Sequence, residues 1–202
     1  RMRIALVSCS QEWAGEADDL PLQLALEQAG VEVAKPAWDD PQVEWAGFDG
    51  CLLRTTWDYH QRRDEFLSWA RRVAEDSRLF NPLAVIEWNT IKTYLRELES
   101  AGLPVAPTVW LDRGSTVDLA AALRGREWSR GFLKPDVGAC AFQTLPFAMD
   151  PAGIAQAQAH LDRQLPNAGF LVQPFLKSVG EVGEYSVIFI DGEITHAVCK
   201  KP

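Results

Sequence analysis

The stretch Gly131-Phe-Leu-Lys-Pro-Asp-Val-Gly-Ala-Cys-Ala141 is the segment from which the interpretation of the fold starts. Its first four residues alternate like a strand, so Lys134 should share a face with Phe132 while Leu133 faces the other way. A partly buried ammonium group needs a partner, and the small residues that follow let a ligand approach the backbone closely. A bound phosphate would explain both features. The alternative is a strand-end lysine that reaches water before an ordinary loop.

A second lysine has comparable properties. Asn89 is suited to be the N-cap of a helix from about 90 to 101, ended by Gly102. Lys92 would then lie in the first helical turn, where its charge opposes the helix dipole. An anion bound there would reverse this penalty. The alternative is a solvated lysine paired with Glu87.

The chain before Asn81 alternates between strands and helices. Strands are predicted at 3–9, 31–34, 51–53 and 78–80, and helices at 20–29 and 62–75. This alternation predicts an α/β domain with a parallel sheet.

Polar residues follow the predicted strand 51–53, and ligands of parallel sheets collect beyond the carboxyl ends of the strands. We therefore expect a substrate site that includes Arg54, Thr55, Thr56, Asp58 and Tyr59. The guanidinium of Arg54 suits a carboxylate, and Asp58 could bind an ammonium group. The alternative is that these side chains only cap the edge of the sheet.

The pattern changes after Pro82. Short strands at 108–111, 131–134, 170–176, 185–190 and 193–200, with a helix near 152–164, predict an α+β unit with an antiparallel sheet. Asp191-Gly192 is typical of a two-residue type I′ hairpin turn. We place a domain boundary near Asn81, which gives domains of residues 1–81 and 82–202.

Composition narrows the classes of partner. The net charge is −8, with 20 basic and 28 acidic residues, which argues against a nucleic-acid surface. No apolar stretch is long enough to cross a bilayer, so we expect a cytoplasmic protein that binds small molecules, with or without assembly into a homo-oligomer. The four cysteines and three histidines show no metal-ligand spacing, and we interpret the cysteines as buried free thiols.

Neither a G-x-x-x-x-G-K-[ST] nor a G-x-G-x-x-G segment is present. Instead, five segments in order resemble the glutathione-synthetase-like branch of the ATP-grasp superfamily: residues 89–95, 102–108, 132–135, 172–176 and 183–187. The N-terminal half, with residues 54–59 and 88–89, is similar to an ATP-grasp subgroup that includes the O-ureido-D-serine cyclo-ligase of cycloserine biosynthesis.

The resemblance implies a pre-ATP-grasp domain followed by an incomplete ATP-grasp domain, and it implies that ATP binds between the two lysine-bearing segments. Lys92 and Lys134 would contact the phosphates, covered by a loop at Gly138 and Ala139. Adenine would lie at a hinge formed by Gln173, Phe175 and Leu176, with the Leu176 N–H as a donor, and Glu184 would bind the ribose hydroxyls.

Lys200 is assigned from hairpin register and from the resemblance together. Pairing Ile190 with Glu193 predicts Glu184 opposite Cys199, which would place Lys200 on the apolar face of the hairpin. The resemblance implies a basic residue here, near the transferred phosphate. The alternative is a frayed chain end.

The implied activity is that of a ligase. ATP would activate the carboxylate of a small amino-acid-like substrate as an acyl phosphate, and an amine would then displace phosphate. Mg²⁺ is expected, with its protein ligands beyond Pro202. A non-catalytic ATP-binding sensor or scaffold is the alternative. A structural interaction protein, suggested only by the eight tryptophans, is the third interpretation.

Overall fold

A computed structural model of the chain describes residues 1–10 and 16–201. The described chain divides into two compact units, residues 1–105 with 135–143, and residues 106–134 with 144–202. The first unit contains four strands, β1 (Arg3–Ser8), β2 (Glu32–Ala34), β3 (Gly50–Thr55) and β4 (Leu79–Phe80). Its helices are α1 (Leu20–Gln28), α2 (Arg63–Asp76), α3 (Leu83–Asn89) and α4 (Tyr94–Ser100).

The four strands of the first unit form a parallel sheet in the order β2-β1-β3-β4, which confirms the predicted α/β class. Strand β1 is central, and its apolar run is buried. Helix α2 buries Phe66, Trp69, Ala70 and Val73, a spacing of three and four residues that places them on one face. Phe66 and Trp69 pack with Trp38 in an aromatic core.

The prediction that Asn89 caps a helix beginning at Thr90 is wrong. Asn89 is the last residue of α3, which forms because Ile86 is buried in the core. The helix cannot continue through Lys92, since the Lys92 N–H donates to the Asp136 carbonyl, 2.8 Å away, instead of to the preceding turn. Lys92 therefore lies in the turn before α4 and not inside a helix.

The second unit contains strands β5 (Val109–Leu111), β6 (Arg130–Pro135), β7 (Leu145–Ala148), β8 (Phe170–Pro174), β9 (Glu184–Ile190) and β10 (Glu193–Lys200). Its helices are α5 (Leu119–Ala122), α6 (Pro151–Gln164) and α7 (Lys177–Glu181). Strand β8 ends at Pro174, earlier than predicted, and residues after Leu176 form α7.

A four-stranded sheet in the order β5-β8-β6-β7 forms the centre of the second unit, and the β5–β8 and β6–β7 pairs are antiparallel. Helix α6 begins with Pro151 in its first turn, and the Asp150 carboxylate accepts the Gly153 N–H at 2.8 Å. Its buried residues Gly153, Ala157 and Leu161 recur every four positions, so one face of α6 covers the sheet.

Strands β9 and β10 form a separate antiparallel pair. Asp191 and Gly192 both have positive φ, 52° and 80°, which confirms the type I′ turn. The predicted register is wrong beyond Ile194, because a bulge at Thr195 shifts the pairing by one residue. Glu184 therefore pairs with Lys200, and Cys199 pairs with Tyr185.

Residues 82–105 and 135–143 belong to the first compact unit. The boundary between the two compact units therefore differs from the domain boundary predicted near Asn81, which stays a prediction.

Cys9 and Cys51 are buried free thiols as expected, whereas Cys140 and Cys199 are exposed. Within the described ranges, no helix has both the length and the apolar content needed to span a bilayer.

Candidate active site

Lys134 is the most informative side chain in the second unit. Strand β6 alternates as predicted, with Leu133 fully buried and Phe132 and Lys134 half-buried on the other face. Burial lowers the pKa of the Lys134 ammonium, and the negative charge of Glu184 partly opposes this shift. Within residues 106–134 and 144–201, no hydrogen bond or salt bridge satisfies the Lys134 ammonium. An anion at this position would supply the missing partner.

The hinge predicted to bind adenine follows β8. Gln173 is buried, and its side-chain amide donates to the Thr108 hydroxyl at 2.8 Å, so this side chain ties β8 to the residue before β5. The Phe175 ring lies 4.2 Å from the Arg130 guanidinium, and the Phe175 N–H donates to the Arg130 carbonyl.

Leu176 is half-exposed and has extended backbone geometry. Its N–H has no backbone or side-chain acceptor in the described part of the second unit, which leaves it available to a ligand. This is the property that the predicted role as an adenine donor requires.

Glu184 and Lys200 are exposed and directly opposite each other on β9 and β10. Opposite residues of an antiparallel pair share a face, so Lys200 has a carboxylate neighbour rather than the apolar face predicted for it. The turn into β9 depends on Gly183, which has φ of 116° and whose added Cβ would lie 2.8 Å from the Lys200 carbonyl.

Lys92, the second predicted phosphate ligand, belongs to the first unit. Its ammonium donates to the Gly138 carbonyl at 2.9 Å and its N–H donates to the Asp136 carbonyl. Gly138 and Ala139 are half-buried. Lys92 thus fixes the start of the loop formed by residues 136–143, which we call the small-residue loop.

The small-residue loop has unusual backbone geometry. Cys140, Ala141 and Gln143 all have φ between 51° and 57°, a region that non-glycine residues rarely adopt. The loop also contacts the segment after β3, since the Phe142 ring lies 5.0 Å from the His60 ring. Strain of this kind clusters at ligand-binding segments.

Asp136 is a candidate functional residue that the sequence interpretation missed. Burial raises the pKa of its carboxyl group, while the Val137 N–H and the charges of Lys92 and Arg63 lower it. A strand-end aspartate after a proline gives no sequence signal, because its burial depends on residues more than forty positions away. The structure thus groups Asp136 with Lys92 and Arg63.

The predicted substrate residues lie at the carboxyl end of β3, as expected. Arg54 is partly exposed and donates from Nε to the buried Asp19 carboxylate at 2.7 Å. Thr55 is buried, whereas Thr56 and Tyr59 are half-buried.

Asp58 has an internal role in the structure. It is 1% exposed, and its two oxygens accept from the Trp38 indole N–H at 2.9 Å and from Arg62 at 2.7 Å. Arg62 also donates to Asp39 at 2.7 Å. Ammonium binding by Asp58, which stays a prediction, would require sharing these oxygens with Trp38 and Arg62.

A cavity of about 360 Å³ opens beside β3 in the first unit. Two predicted substrate residues, Thr56 and Tyr59, line it together with Asn81 and Asn89, which the sequence interpretation did not assign to a site. Asn81 has φ of 66°, and an Asn-Pro pair signals a turn but not a cavity. The predicted substrate segment therefore borders an open cavity.

No group of three or more His, Cys, Asp or Glu side chains in residues 1–10 and 16–201 is arranged to bind a metal ion.

Comparison with known proteins identifies the family. Residues 4–81 match the N-terminal domain of D-cycloserine synthetase DcsG. The cycloserine biosynthesis protein DcsG of Streptomyces lavendulae is 32% identical over 203 residues, which cover 98% of this chain and 67% of that protein.

Solved structures agree with this assignment. The crystal structure of D-cycloserine synthetase DcsG superposes with a TM-score of 0.88 at 30% identity, covering 98% of this chain and 68% of that one. The RimK-domain ATP-grasp protein of Sphaerobacter thermophilus gives a TM-score of 0.65 at 18% identity, covering 86% and 64% of the two chains, so the likeness extends to fold alone. The chain belongs to the family of D-cycloserine synthetase DcsG and has the ATP-grasp fold.

Proposed function

We propose that this chain carries the nucleotide-binding part of an ATP-dependent ligase that forms a C–N bond through an acyl phosphate on a small amino-acid-like substrate. Membership in a family of ligases supports the general activity. The observation that carries the assignment to ATP is Lys134, a half-buried ammonium without a hydrogen-bond partner in the described second unit. The intermediate and the substrate class are the parts that require an experiment.

The charges around Lys134 suit a triphosphate. A half-buried cation is destabilising by itself, and a phosphate oxygen would form a charge-assisted hydrogen bond with it. The available Leu176 N–H suits an adenine acceptor, and the exposed Glu184 suits ribose hydroxyls. The role of Lys92 as a further phosphate ligand stays a prediction, since its ammonium also holds the Gly138 carbonyl.

In the proposed reaction, a carboxylate oxygen of the substrate attacks the γ-phosphorus of ATP, and the bond to the β,γ-bridging oxygen breaks to release ADP. An amine nitrogen then attacks the acyl carbon, loses a proton and expels inorganic phosphate. The protein contributes orientation and neutralisation of phosphate charge rather than a nucleophile of its own. Lys134 and Lys200 are the proposed sources of that positive charge in the second unit.

Arg54 is the proposed ligand of the substrate carboxylate. Asp19 holds its Nε atom at 2.7 Å and thereby orients the guanidinium, whose other nitrogens can bind two carboxylate oxygens. Because the relative is a D-cycloserine synthetase, we include ring closure, in which the carboxylate and the attacking nitrogen belong to one substrate molecule.

The test combines ADP release with trapping of the intermediate. The protein is incubated with ATP, Mg²⁺ and a panel of amino-acid-like carboxylates, with and without hydroxylamine, which converts an acyl phosphate into a hydroxamate. We expect substrate-dependent ADP release and a matching amount of hydroxamate. ADP release without hydroxamate would contradict the acyl phosphate.

Mg²⁺ is part of the proposal although the described residues form no cluster for it. We expect EDTA to abolish ADP release and added Mg²⁺ to restore it, because the metal ion neutralises phosphate charge in reactions of this type. ATP binding without ADP release in every mixture would instead favour a non-catalytic ATP-binding module.

A further inference from the structure

A second cavity of the first unit, of about 600 Å³, lies between α2 and residues 38–45. Its volume falls within the range of small-molecule sites. Its lining residues differ throughout from those of the cavity beside β3. Among the described residues, none of those predicted to bind ATP or substrate lines it. We call it the α2 cavity and consider it as a separate site.

Tryptophan side chains form one wall of the α2 cavity. Trp38, Trp45 and Trp69 all line it, and the Trp69 ring lies 5.1 Å from the Trp45 ring and 6.2 Å from the Trp38 ring. The guanidinium of Arg62 lies 4.6 Å from the centre of the Trp38 ring. This wall therefore already holds one cation by a cation–π contact.

The α2 cavity has an excess of negative charge. Its lining includes four carboxylates and two guanidinium groups, those of Asp39, Asp40, Asp64, Glu65, Arg62 and Arg72. The Arg62 charge is already balanced, because its guanidinium donates to Asp39 and to Asp58, each at 2.7 Å. The other acidic side chains of the lining outnumber Arg72, so the cavity favours a cation over an anion.

The indole N–H of Trp69 is an independent sign of a ligand. Trp69 is 2% exposed, and its Nε1 has no hydrogen-bond partner among the described residues. The Trp38 indole, by contrast, donates to Asp58 at 2.9 Å. A buried donor left unpaired is destabilising, and such groups in a native protein often mark a functional position. An oxygen atom of a ligand in the α2 cavity would supply the acceptor.

We propose that the α2 cavity binds an alkylated ammonium ion that also carries a hydroxyl or ether oxygen. The tryptophan wall and the carboxylates would contact the cationic end, since alkylated ammonium ions bind well to aromatic rings. The oxygen would accept the Trp69 indole N–H. This site goes beyond the proposed ligase activity and does not depend on it.

The test uses three probes of nearly the same shape. Choline carries both the charge and the hydroxyl, neohexyl alcohol has a carbon atom in place of the charged nitrogen, and trimethylpropylammonium has a methyl group in place of the hydroxyl. Each is titrated into the ¹⁵N-labelled protein, and the indole N–H signals are followed by NMR. The Trp88 indole, which donates to Glu97 and does not line the α2 cavity, provides the internal reference.

We expect choline to shift the Trp45 and Trp69 signals saturably and to leave the Trp88 signal unchanged. Neohexyl alcohol should bind at least about fivefold more weakly, and trimethylpropylammonium should shift Trp45 but not Trp69. The absence of a saturable response to choline, or equal binding of neohexyl alcohol, would overturn the proposal. An equal shift of the Trp69 signal by trimethylpropylammonium would refute the role of its N–H.

Two variants separate binding in the α2 cavity from a general effect of charge. Ser68→Lys places an ammonium group in the lining from an exposed position of α2 and should abolish choline binding. Ala74→Lys adds the same charge at an exposed position of α2 outside the lining and should change the affinity by less than about twofold. Retained binding in Ser68→Lys, or equal loss in both variants, would contradict the assignment. These measurements need no ATP, so their outcome is independent of ADP release.

Discussion

Lys134 shows at the scale of one residue how local stability and ligand binding oppose each other. Its ammonium is half-buried beside an exposed carboxylate and has its pKa lowered by burial. Replacing it with a methyl thioether of similar length removes the cost of burying the charge. We expect Lys134→Met to raise the free energy of unfolding by about 0.5–2 kcal/mol at neutral pH, measured by urea denaturation.

The matched control for this change is Lys35→Met, at an exposed lysine of the first unit. A surface substitution of this kind should change stability by less than about 0.5 kcal/mol. Loss of stability in Lys134→Met would show that the ammonium has a stabilising partner and would contradict the account of its burial.

The buried carboxyl group of Asp136 predicts how the free energy of unfolding depends on pH. Its pKa is raised by burial, so the folded chain binds this proton more tightly than the unfolded chain. Its effect on stability is most favourable below the unfolded-state pKa of about 3.9 and becomes unfavourable as pH rises through the raised folded-state pKa. Asp136→Asn should remove this component of the pH dependence, measured by urea denaturation from about pH 4 to 7.

Asp76→Asn, at an exposed carboxylate near the end of α2, is the comparison for this experiment and should retain the slope of the original protein. If Asp136→Asn retained the same slope, the burial of the Asp136 carboxyl would not affect stability in this way.

Sequence interpretation succeeded at residues whose environment depends on near neighbours. The half-burial of Lys134 follows from the two-residue alternation of β6, and this prediction is confirmed. It failed at Asn89, since the end of α3 is set by a hydrogen bond from Lys92 to Asp136. It also gave no indication that Asp58 is enclosed by Trp38 and Arg62, because the Trp38 contact comes from a segment twenty residues earlier in the chain.

At the scale of elements, the packing of α6 on β7 depends on Gly153. An added Cβ would lie 2.3 Å from the Ala148 carbonyl oxygen, and neither backbone can move without disturbing the sheet or the helix. We expect Gly153→Ala to lower the free energy of unfolding by about 1–3 kcal/mol, measured by urea denaturation.

Gly180, in α7, provides the matched control because no atom lies within 4 Å of its added Cβ. Gly180→Ala should stabilise the protein slightly, by up to about 1 kcal/mol, through the lower conformational entropy of the unfolded chain. Equal effects of the two substitutions would contradict the close approach of α6 and β7.

The β9–β10 hairpin marks another limit of sequence interpretation. Its turn could be predicted because Asp-Gly has a strong local preference for positive φ. The bulge at Thr195 could not, since alternation continues through it and only the pairing changes. Because of that single extra residue, Glu184 pairs with Lys200 instead of Cys199. The bulge therefore changes the neighbour of Lys200, the predicted catalytic lysine.

For the whole molecule, the order of the motifs along the chain predicted the ATP-grasp fold correctly. Taken alone, Lys92 and Lys134 could each have been an ordinary solvated lysine. The class of each half followed from periodicity, α/β for the first and α+β for the second, as the two sheets confirm. Substrate identity does not follow from periodicity. In the site predicted here it would depend on side chains that tertiary packing gathers around the end of β3. The chain spans 67% of the length of its relative.

ATP binding measured by calorimetry is the most direct test of the central claim that Lys134 belongs to a nucleotide site. ATP is titrated, in buffer with Mg²⁺, into the original protein, Lys134→Met and Lys35→Met. We predict saturable binding by the original protein and by Lys35→Met, and binding at least about tenfold weaker in Lys134→Met, since a charge-assisted hydrogen bond is lost. A folded original protein without saturable binding, or equal affinity in Lys134→Met, would contradict the account.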